Sequence, residues 1–172
     1  GWEGGIFFLM IRRPPRSTLF TYTTLFRSFF SVTVNVVMNR YPIHAVLKNG
    51  KSVTLNGRFE VASIAAGFNN YTIDENILVI KNKLGTIKLL QGAQNGDPIG
   101  VFFEEVYKMF PTKDQTILDI GANIGDSSIY FALKGAKKIF AIEPFPANYE
   151  LAKKNIELNN LQKIIDIDLA GC

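Results

Sequence analysis

The sequence predicts an α/β fold in which the N-terminal half of a parallel, doubly wound sheet follows a small antiparallel β-hairpin region. Three features support this class. Residues 41–92 alternate β-branched and polar residues around turn dipeptides, strand and helix patterns alternate from residue 116 onward, and a glycine-containing loop joins the first of these strands to its helix. With 172 residues, 47% of them hydrophobic, the chain is long and apolar enough for a packed core.

Two hairpins are predicted in the N-terminal region. The segment "YPIHAVLKNGKSVTLNGRFEV" alternates on either side of Asn49-Gly50, a dipeptide that favours a two-residue turn because both residues tolerate positive φ. The segment "ENILVIKNKLGTIKLL" repeats the pattern around a glycine-containing turn. These hairpins suit a platform or lid, although an extension that only packs against the next domain is the simpler interpretation.

A helix is predicted within "NGDPIGVFFEEVYKMFP". Phe102, Val106, Met109 and Phe110 recur at the spacing of one helical face, and Pro111 ends the pattern. Beyond it, the order of strand, glycine loop, helix, strand, helix and strand is the βαβ rhythm of a parallel sheet.

The loop between the first strand and the first helix of this βαβ pattern contains the residues that indicate a ligand site. The strand Thr116–Ile120 is apolar except for Asp119 and leads directly into the loop "GANIG", whose glycines let the backbone approach a ligand. Asp126-Ser127 then offers a helix cap, and Gly135 suits a helix end. The helical face predicted to lie on the sheet comprises Ile129, Ala132, Leu133 and Ala136.

The second strand, "KIFAIEP", ends in Glu143, 22 residues after Gly121, where a carboxylate can accept both hydroxyls of a ribose. A second helix, "FPANYELAKKNIELNN", is expected to serve as scaffold. The segment "KIIDIDLAGC" is the predicted third strand, in which Asp166 and Asp168 share a face and either contact an adenine ring or face solvent.

The loop does not have the G-x-G-x-x-G pattern of a dinucleotide site. Asp119 precedes the first glycine by two residues and Asp126 follows the second, so negative charge surrounds the place where a pyrophosphate would bind. A cofactor that carries an ammonium group and a sulfonium beside a ribose fits better, and S-adenosylmethionine has both.

The stretch "ILDIGANIGDSSIYFALKGAKKIFAIEPFPANYELAKKNIELNN" resembles the FkbM family of class I S-adenosylmethionine-dependent methyltransferases, which have a Rossmann-like sheet. The D-x-G-A-N-x-G loop and the Glu-Pro after the second strand carry the similarity, which begins near Tyr41. It implies that Glu143 holds the ribose and that Glu104 either approaches the amino-acid moiety or only pairs with Lys108. The residues implied at the methionine end of the cofactor are Asp119, Gly121, Ala122, Asn123 and Gly125, and Asp126 is a further candidate cofactor-binding residue.

The resemblance implies O-methylation of a small-molecule or glycan hydroxyl. It also implies that acceptor recognition and any general base follow the fourth strand, so no catalytic residue is assigned. Because only the cofactor half of the sheet is present, a truncated chain with an open sheet edge is expected to be inactive and to aggregate. Two alternatives are a nicotinamide-dependent oxidoreductase and a noncatalytic fragment.

Residues 10–28, "MIRRPPRSTLFTYTTLFRS", resemble one reading frame of an adapter ligated to DNA for sequencing, with Thr21 as the mismatch. We therefore divide the chain into residues 1–28, an artefact that is disordered or non-native, residues 29–97, the hairpin region, and residues 98–172, a truncated cofactor-binding domain. Without residues 1–28 the chain has 15 basic and 14 acidic residues instead of 19 and 15, because the segment holds Arg12, Arg13, Arg16, Arg27 and Glu3.

This balance predicts no nucleic-acid partner, although the whole-chain pI of about 9.2 suggests one. The longest early apolar run, Gly4 to Ile11, is too short to span a bilayer, so no membrane association is expected. One cysteine, Cys172, rules out an intramolecular disulfide and a cysteine-based metal cluster and fits the cytoplasm. No metal site is predicted, and the one histidine, His44, is given no catalytic role.

Overall fold

A computed structural model describes residues 26–90 and 97–171, apart from the side chains of Ala65 and Asp97. Most of the adapter-like stretch therefore lies outside the described residues. The helices are α1 (Phe29–Val37), α2 (Arg58–Ala66), α3 (Asp97–Phe102), α4 (Asp126–Leu133) and α5 (Pro146–Leu158). The strands are β1 (Ile43–Val46), β2 (Ser52–Leu55), β3 (Tyr71–Asp74), β4 (Ile77–Asn82), β5 (Gly85–Leu90), β6 (Thr116–Ile120), β7 (Lys138–Glu143) and β8 (Ile165–Leu169).

The first compact unit comprises residues 26–69 and 97–99 of the described chain and is built on the hairpin of β1 and β2, which confirms the first predicted hairpin. The predicted two-residue turn is wrong. The Leu47 N–H donates to the Lys51 carbonyl at 2.9 Å, and the Gly50 N–H donates to the Leu47 carbonyl at 2.9 Å, which leaves a loop of residues 48–50. Gly50 has φ of 88°, as the last residue of such a loop requires.

The sequence pattern does not predict α1 and α2. The β-branched residues of α1 favour strands locally, but the helix buries Val32 in the core of the hairpin, so packing overrides propensity. The buried members of this core are Phe26, Val32, Ile43, Ala45, Leu55 and Val61. Phe26 is 1% exposed although it falls within the adapter-like stretch.

The second compact unit comprises residues 70–90 and 100–171 of the described chain. Its antiparallel sheet has the order β3-β4-β5, with Asn82 opposite Gly85, and confirms the second predicted hairpin. The sequence-based division places this hairpin within residues 29–97, whereas in the structure β5 packs against α5 of the cofactor-binding region. The buried side chains of β4 and β5 are Leu78, Ile80, Ile87 and Leu89.

A parallel sheet of order β6-β7-β8 forms the other layer of this unit. Helix α4 connects β6 to β7, and α5 connects β7 to β8, as expected for one half of a doubly wound, Rossmann-like sheet. The predicted fold class is therefore confirmed. The parallel arrangement also brings the carboxyl ends of β6 and β7 to one edge of the sheet, where the glycine loop and Glu143 lie.

The helix predicted up to Phe110 is wrong, because α3 ends at Phe102. Glu105 adopts a φ of 49°, which breaks the helix, and the Asn82 side chain donates to the Phe102 carbonyl at 3.0 Å. Met109, which shares the apolar face of the predicted helix, is 84% exposed. A tertiary contact at the C-terminus of α3 therefore replaces the next helical hydrogen bonds.

An aromatic cluster surrounds Tyr130 of α4, whose hydroxyl is buried without a hydrogen-bond partner among the described residues. The ring lies 6.2 Å from Phe102, 6.2 Å from Tyr107 and 5.7 Å from Phe131, measured between centroids. Burial, and secondarily the charge of Glu105, raises the pKa of Tyr130 above its usual 10.0. The folded chain therefore holds this phenolic proton more tightly than the unfolded chain does.

The free energy of unfolding is expected to fall as the pH rises above 10.0, since the unfolded phenol then loses its proton while the folded one retains it. In Tyr130→Phe this contribution is absent, so the variant should lose less stability between neutral and alkaline pH than the wild type. Urea unfolding at a series of pH values measures the difference. Identical pH dependence in the two proteins would contradict the prediction.

Candidate functional site

The glycine loop between β6 and α4 has a backbone that requires its glycines. Gly121 and Gly125 have φ of 78° and 82°, and Asn123 has φ of 50°. The Gly121 and Ala122 N–H groups both donate to the Ile142 carbonyl, at 2.8 Å and 3.0 Å. A Cβ added at Gly121 would meet no atom within 4 Å, so the loop has open space on that side.

Glu143, at the end of β7, holds this loop. Its Oε2 accepts a hydrogen bond from the Asn123 N–H at 2.7 Å, and its Oε1 accepts from the Phe145 N–H at 3.0 Å and from Asn148 Nδ2 at 3.4 Å. The side chain is only 3% exposed. The structure therefore brings Glu143 and Asn123 together, as the sequence predicts for one site, and gives Glu143 a role in shaping the loop. Each carboxylate oxygen has two lone pairs, so Oε2 retains capacity for a ligand hydroxyl.

A second carboxylate, Asp119, lies on β6 beneath the loop and is 1% exposed. Its Oδ2 accepts hydrogen bonds from the hydroxyls of Ser127 at 2.7 Å and Ser128 at 2.6 Å. Charge-assisted bonds of this kind compensate part of the cost of burying a carboxylate. These bonds join β6 to the first turn of α4.

The predicted cap of α4 is wrong in detail. Gly125 is the residue at the N-cap position, and Asp126 lies within the first turn, fully buried. A carboxylate in the first turn interacts favourably with the positive end of the helix dipole. Ser127 is not a cap because its hydroxyl binds Asp119.

Gly125 also packs closely against α5. A Cβ built on it would lie 3.3 Å from the Ala152 Cβ, and its φ of 82° disfavours any side chain. Gly125→Ala is expected to lower the free energy of unfolding by about 1–3 kcal/mol, because strain and overpacking add. Urea titration measures this change.

The control for this substitution is Gly135→Ala, which has a comparable φ of 90° but faces the flexible Lys113 side chain at 3.6 Å. We expect the control to cost less than Gly125→Ala. Equal losses in the two variants would show that close packing against Ala152 contributes nothing.

The remaining acidic residues lie outside this group. Glu104 is exposed in the irregular segment after α3, so its proposed approach to the amino-acid moiety stays a prediction. Asp166 and Asp168 are both exposed on β8, and Asp166 pairs with Lys138 Nζ at 2.8 Å. These positions agree with the solvent-facing alternative for the two aspartates.

Sequence reasoning missed four polar partners of the site. Ser127 and Ser128 bind Asp119, Asn148 binds Glu143, and Asn155 donates to the Ile124 carbonyl at 2.8 Å. One signal was available for the serines: a carboxylate inside an apolar strand needs donors, and hydroxyls at the start of the next helix are the nearest candidates. The asparagines have no such local signal.

This set of carboxylate acceptors fits S-adenosylmethionine. Three buried carboxylates, Asp119, Asp126 and Glu143, belong to the loop and the strand ends beside it, and they suit cationic and hydroxyl groups rather than phosphate. The open space beside Gly121 gives a ligand access to the loop backbone. Within the described residues, no group of three His, Cys, Asp or Glu side chains is arranged to hold a metal ion.

Comparison with known proteins agrees with this chemistry. Residues 119–172 match the family described as Methyltransferase FkbM domain. The tRNA (guanine(37)-N(1))-methyltransferase of Methanocaldococcus jannaschii is 49% identical over 55 residues, covering 31% of this chain and 16% of that protein. The ribosomal protein L11 methyltransferase of a Thermoanaerobacter species is 37% identical over 60 residues, covering 34% and 20%. A solved tRNA m1G37 methyltransferase from M. jannaschii has 25% identity, a TM-score of 0.44, and coverage of 72% and 34%.

The parallel sheet, the glycine loop and its buried carboxylates are similar to the S-adenosylmethionine-binding part of class I methyltransferases. The FkbM family match confirms the resemblance drawn from the sequence over residues 119–172. It favours a methyltransferase over the nicotinamide-dependent alternative. The chain spans between 16 and 26% of the length of the curated relatives it matches.

The prediction of no nucleic-acid partner is contradicted, because a relative with 49% identity over 55 residues is a tRNA methyltransferase. Net charge was the wrong criterion, since a nearly neutral domain can still bind nucleic acid through a local surface. Among the described residues, no helix combines the length and hydrophobicity needed to cross a membrane.

Proposed function

We propose that this chain carries the cofactor-binding half of an S-adenosylmethionine-dependent methyltransferase and that the whole protein transfers a methyl group to a nucleophilic acceptor. The observation that carries the proposal is the loop held by Glu143, in which the Asn123 N–H binds the carboxylate at 2.7 Å beside the open face of Gly121. The FkbM family match over residues 119–172 supports the same activity.

Each predicted site residue has a role in this proposal. Glu143 receives the ribose hydroxyls, and Asp119 and Asp126 favour the positive charge of the methionine end. Gly121, Ala122, Asn123 and Gly125 form the backbone against which the ligand lies. Glu104 is proposed to approach the amino-acid moiety of the cofactor.

S-adenosylmethionine, when bound, supplies an activated methyl group on its sulfonium. Glu143 would hold the ribose of this cofactor, and Asp119 and Asp126 would face its positive charge. This chain's residues orient the methionine end and exclude water, and such positioning accounts for most of the catalysis that methyl transfer requires. A hydroxyl acceptor also releases a proton, and no residue described here is assigned as its base.

Two acceptor classes follow from different observations. The resemblance to FkbM methyltransferases favours a hydroxyl of a small molecule or glycan. The tRNA methyltransferase relative favours an RNA base. A cytoplasmic location is a prediction in either case.

Calorimetric titration of the full chain with S-adenosylhomocysteine and, separately, NADH tests the cofactor. We expect binding of S-adenosylhomocysteine alone. Binding of NADH without S-adenosylhomocysteine would overturn the proposal in favour of the oxidoreductase, and binding of neither would favour the noncatalytic fragment. Transfer of a radiolabelled methyl group by the whole protein to total RNA or to a glycan pool distinguishes the acceptors.

A further inference from the structure

Two asparagines four residues apart, Asn155 on α5 and Asn159 at the C-cap of that helix, bind the outer edge of β5. Asn155 Oδ1 accepts a hydrogen bond from the Leu90 N–H at 2.7 Å, and Asn159 Oδ1 accepts from the Lys88 N–H at 3.0 Å. Asn159 Nδ2 also donates to the Lys88 carbonyl at 2.6 Å. The two side chains therefore take the place of a neighbouring strand along this edge.

The spacing of the two elements makes this possible. β5 is the edge strand of the order β3-β4-β5, so its alternate backbone groups point away from β4. Residues Lys88 and Leu90 are two apart on a strand, a separation of about 6.8 Å. Asn155 and the C-cap residue Asn159 are four positions apart at the end of α5, a separation of about 6.0 Å along the helix axis.

Asn155 makes one contact that Asn159 does not make. Its Nδ2 donates to the carbonyl of Ile124, inside the glycine loop, at 2.8 Å, and the side chain is fully buried. Asn159 Nδ2 instead makes its second bond to the Asn155 carbonyl, at the C-terminus of α5, at 2.7 Å. A single amide thus joins the antiparallel sheet, α5 and the cofactor loop.

We infer that Asn155 is a positioning residue of the cofactor loop, an inference that rests on the proposed function. Glu143 holds the loop at the Asn123 N–H, and Asn155 holds it at the carbonyl of the next residue, Ile124. A loop fixed at two adjacent points loses less conformational freedom when a ligand binds. Cofactor affinity therefore depends on Asn155, a residue of α5 that acts through the loop and not through contact with the cofactor.

Asn155→Asp is the sharpest test of this inference. The ionised aspartate retains an oxygen for the Leu90 N–H but cannot donate to the Ile124 carbonyl. Asn155→Ala removes both bonds, and Asn159→Ala removes only bonds outside the loop. Hydrogen exchange of the amides of Gly121 to Gly125 in the ligand-free full chain should be about tenfold faster in both Asn155 variants and close to wild type in Asn159→Ala.

Titration with S-adenosylhomocysteine supplies the functional readout. We expect Kd to rise about tenfold in both Asn155 variants and less than twofold in Asn159→Ala, even where Asn155→Ala and Asn159→Ala lose similar stability. Equal effects of the Asn155 and Asn159 variants on exchange and affinity would overturn the inference. If the variants show the expected exchange pattern but the wild-type chain binds no S-adenosylhomocysteine, the proposed function is overturned instead, because exchange reports on the loop without a ligand.

Discussion

Replacing Glu143 with alanine is expected to abolish measurable binding of S-adenosylhomocysteine and to lower the free energy of unfolding by about 2–4 kcal/mol. The substitution removes the acceptor of the Asn123 and Phe145 N–H groups and of the Asn148 amide at a site that is 3% exposed. Donors left without an acceptor at a buried site each lose their compensation for desolvation. The loop also loses the bond that fixes Asn123, so affinity falls by more than the loss of a ribose contact alone.

Calorimetric titration and urea unfolding measure the two effects separately. Glu150→Ala, an exposed position on α5, is the matched control and should change neither quantity appreciably. Glu143→Gln keeps one oxygen acceptor and should lie between wild type and Glu143→Ala in both measurements. Wild-type affinity in Glu143→Ala would contradict the assignment of this carboxylate to the site.

Asp119→Asn is expected to weaken S-adenosylmethionine binding at least about tenfold, equivalent to about 1.4 kcal/mol, while it weakens S-adenosylhomocysteine less. The two ligands differ by the sulfonium charge, and a carboxylate that is 1% exposed acts on such a charge with little screening by solvent. Asparagine retains an oxygen for the Ser127 and Ser128 hydroxyls, so most of the packing is preserved.

The ratio of the two dissociation constants, measured for each variant, isolates the charge effect from any general loosening of the loop. Asp114→Asn, an exposed position before β6, is the control and should leave the ratio unchanged. If Asp119→Asn weakens both ligands by the same factor, Asp119 acts only through its hydrogen bonds to α4, and its electrostatic role is excluded.

Local sequence patterns were sufficient to predict the parallel half of the fold and to place the glycine loop and Glu143 at one edge of the sheet. Strand β6 has the predicted bounds, Thr116–Ile120, because a short apolar run directly before a glycine loop leaves few other conformations. The positive φ values of Gly121 and Gly125 are properties that only a few residue types tolerate, so the loop is specified locally. The prediction that Glu143 lies beside this loop follows from its position at the end of the next apolar strand.

The distant groups that complete these local elements depend on tertiary contacts that no local pattern predicts. The helical spacing from Phe102 to Phe110 is regular, yet Asn82 binds the Phe102 carbonyl and the chain turns at Glu105. The link from Leu90 through Asn155 to Ile124 joins residues up to 65 positions apart. Periodicity reports which face of an element is apolar, whereas the partner of a buried amide or carboxylate depends on which backbone groups the folded chain leaves without a partner.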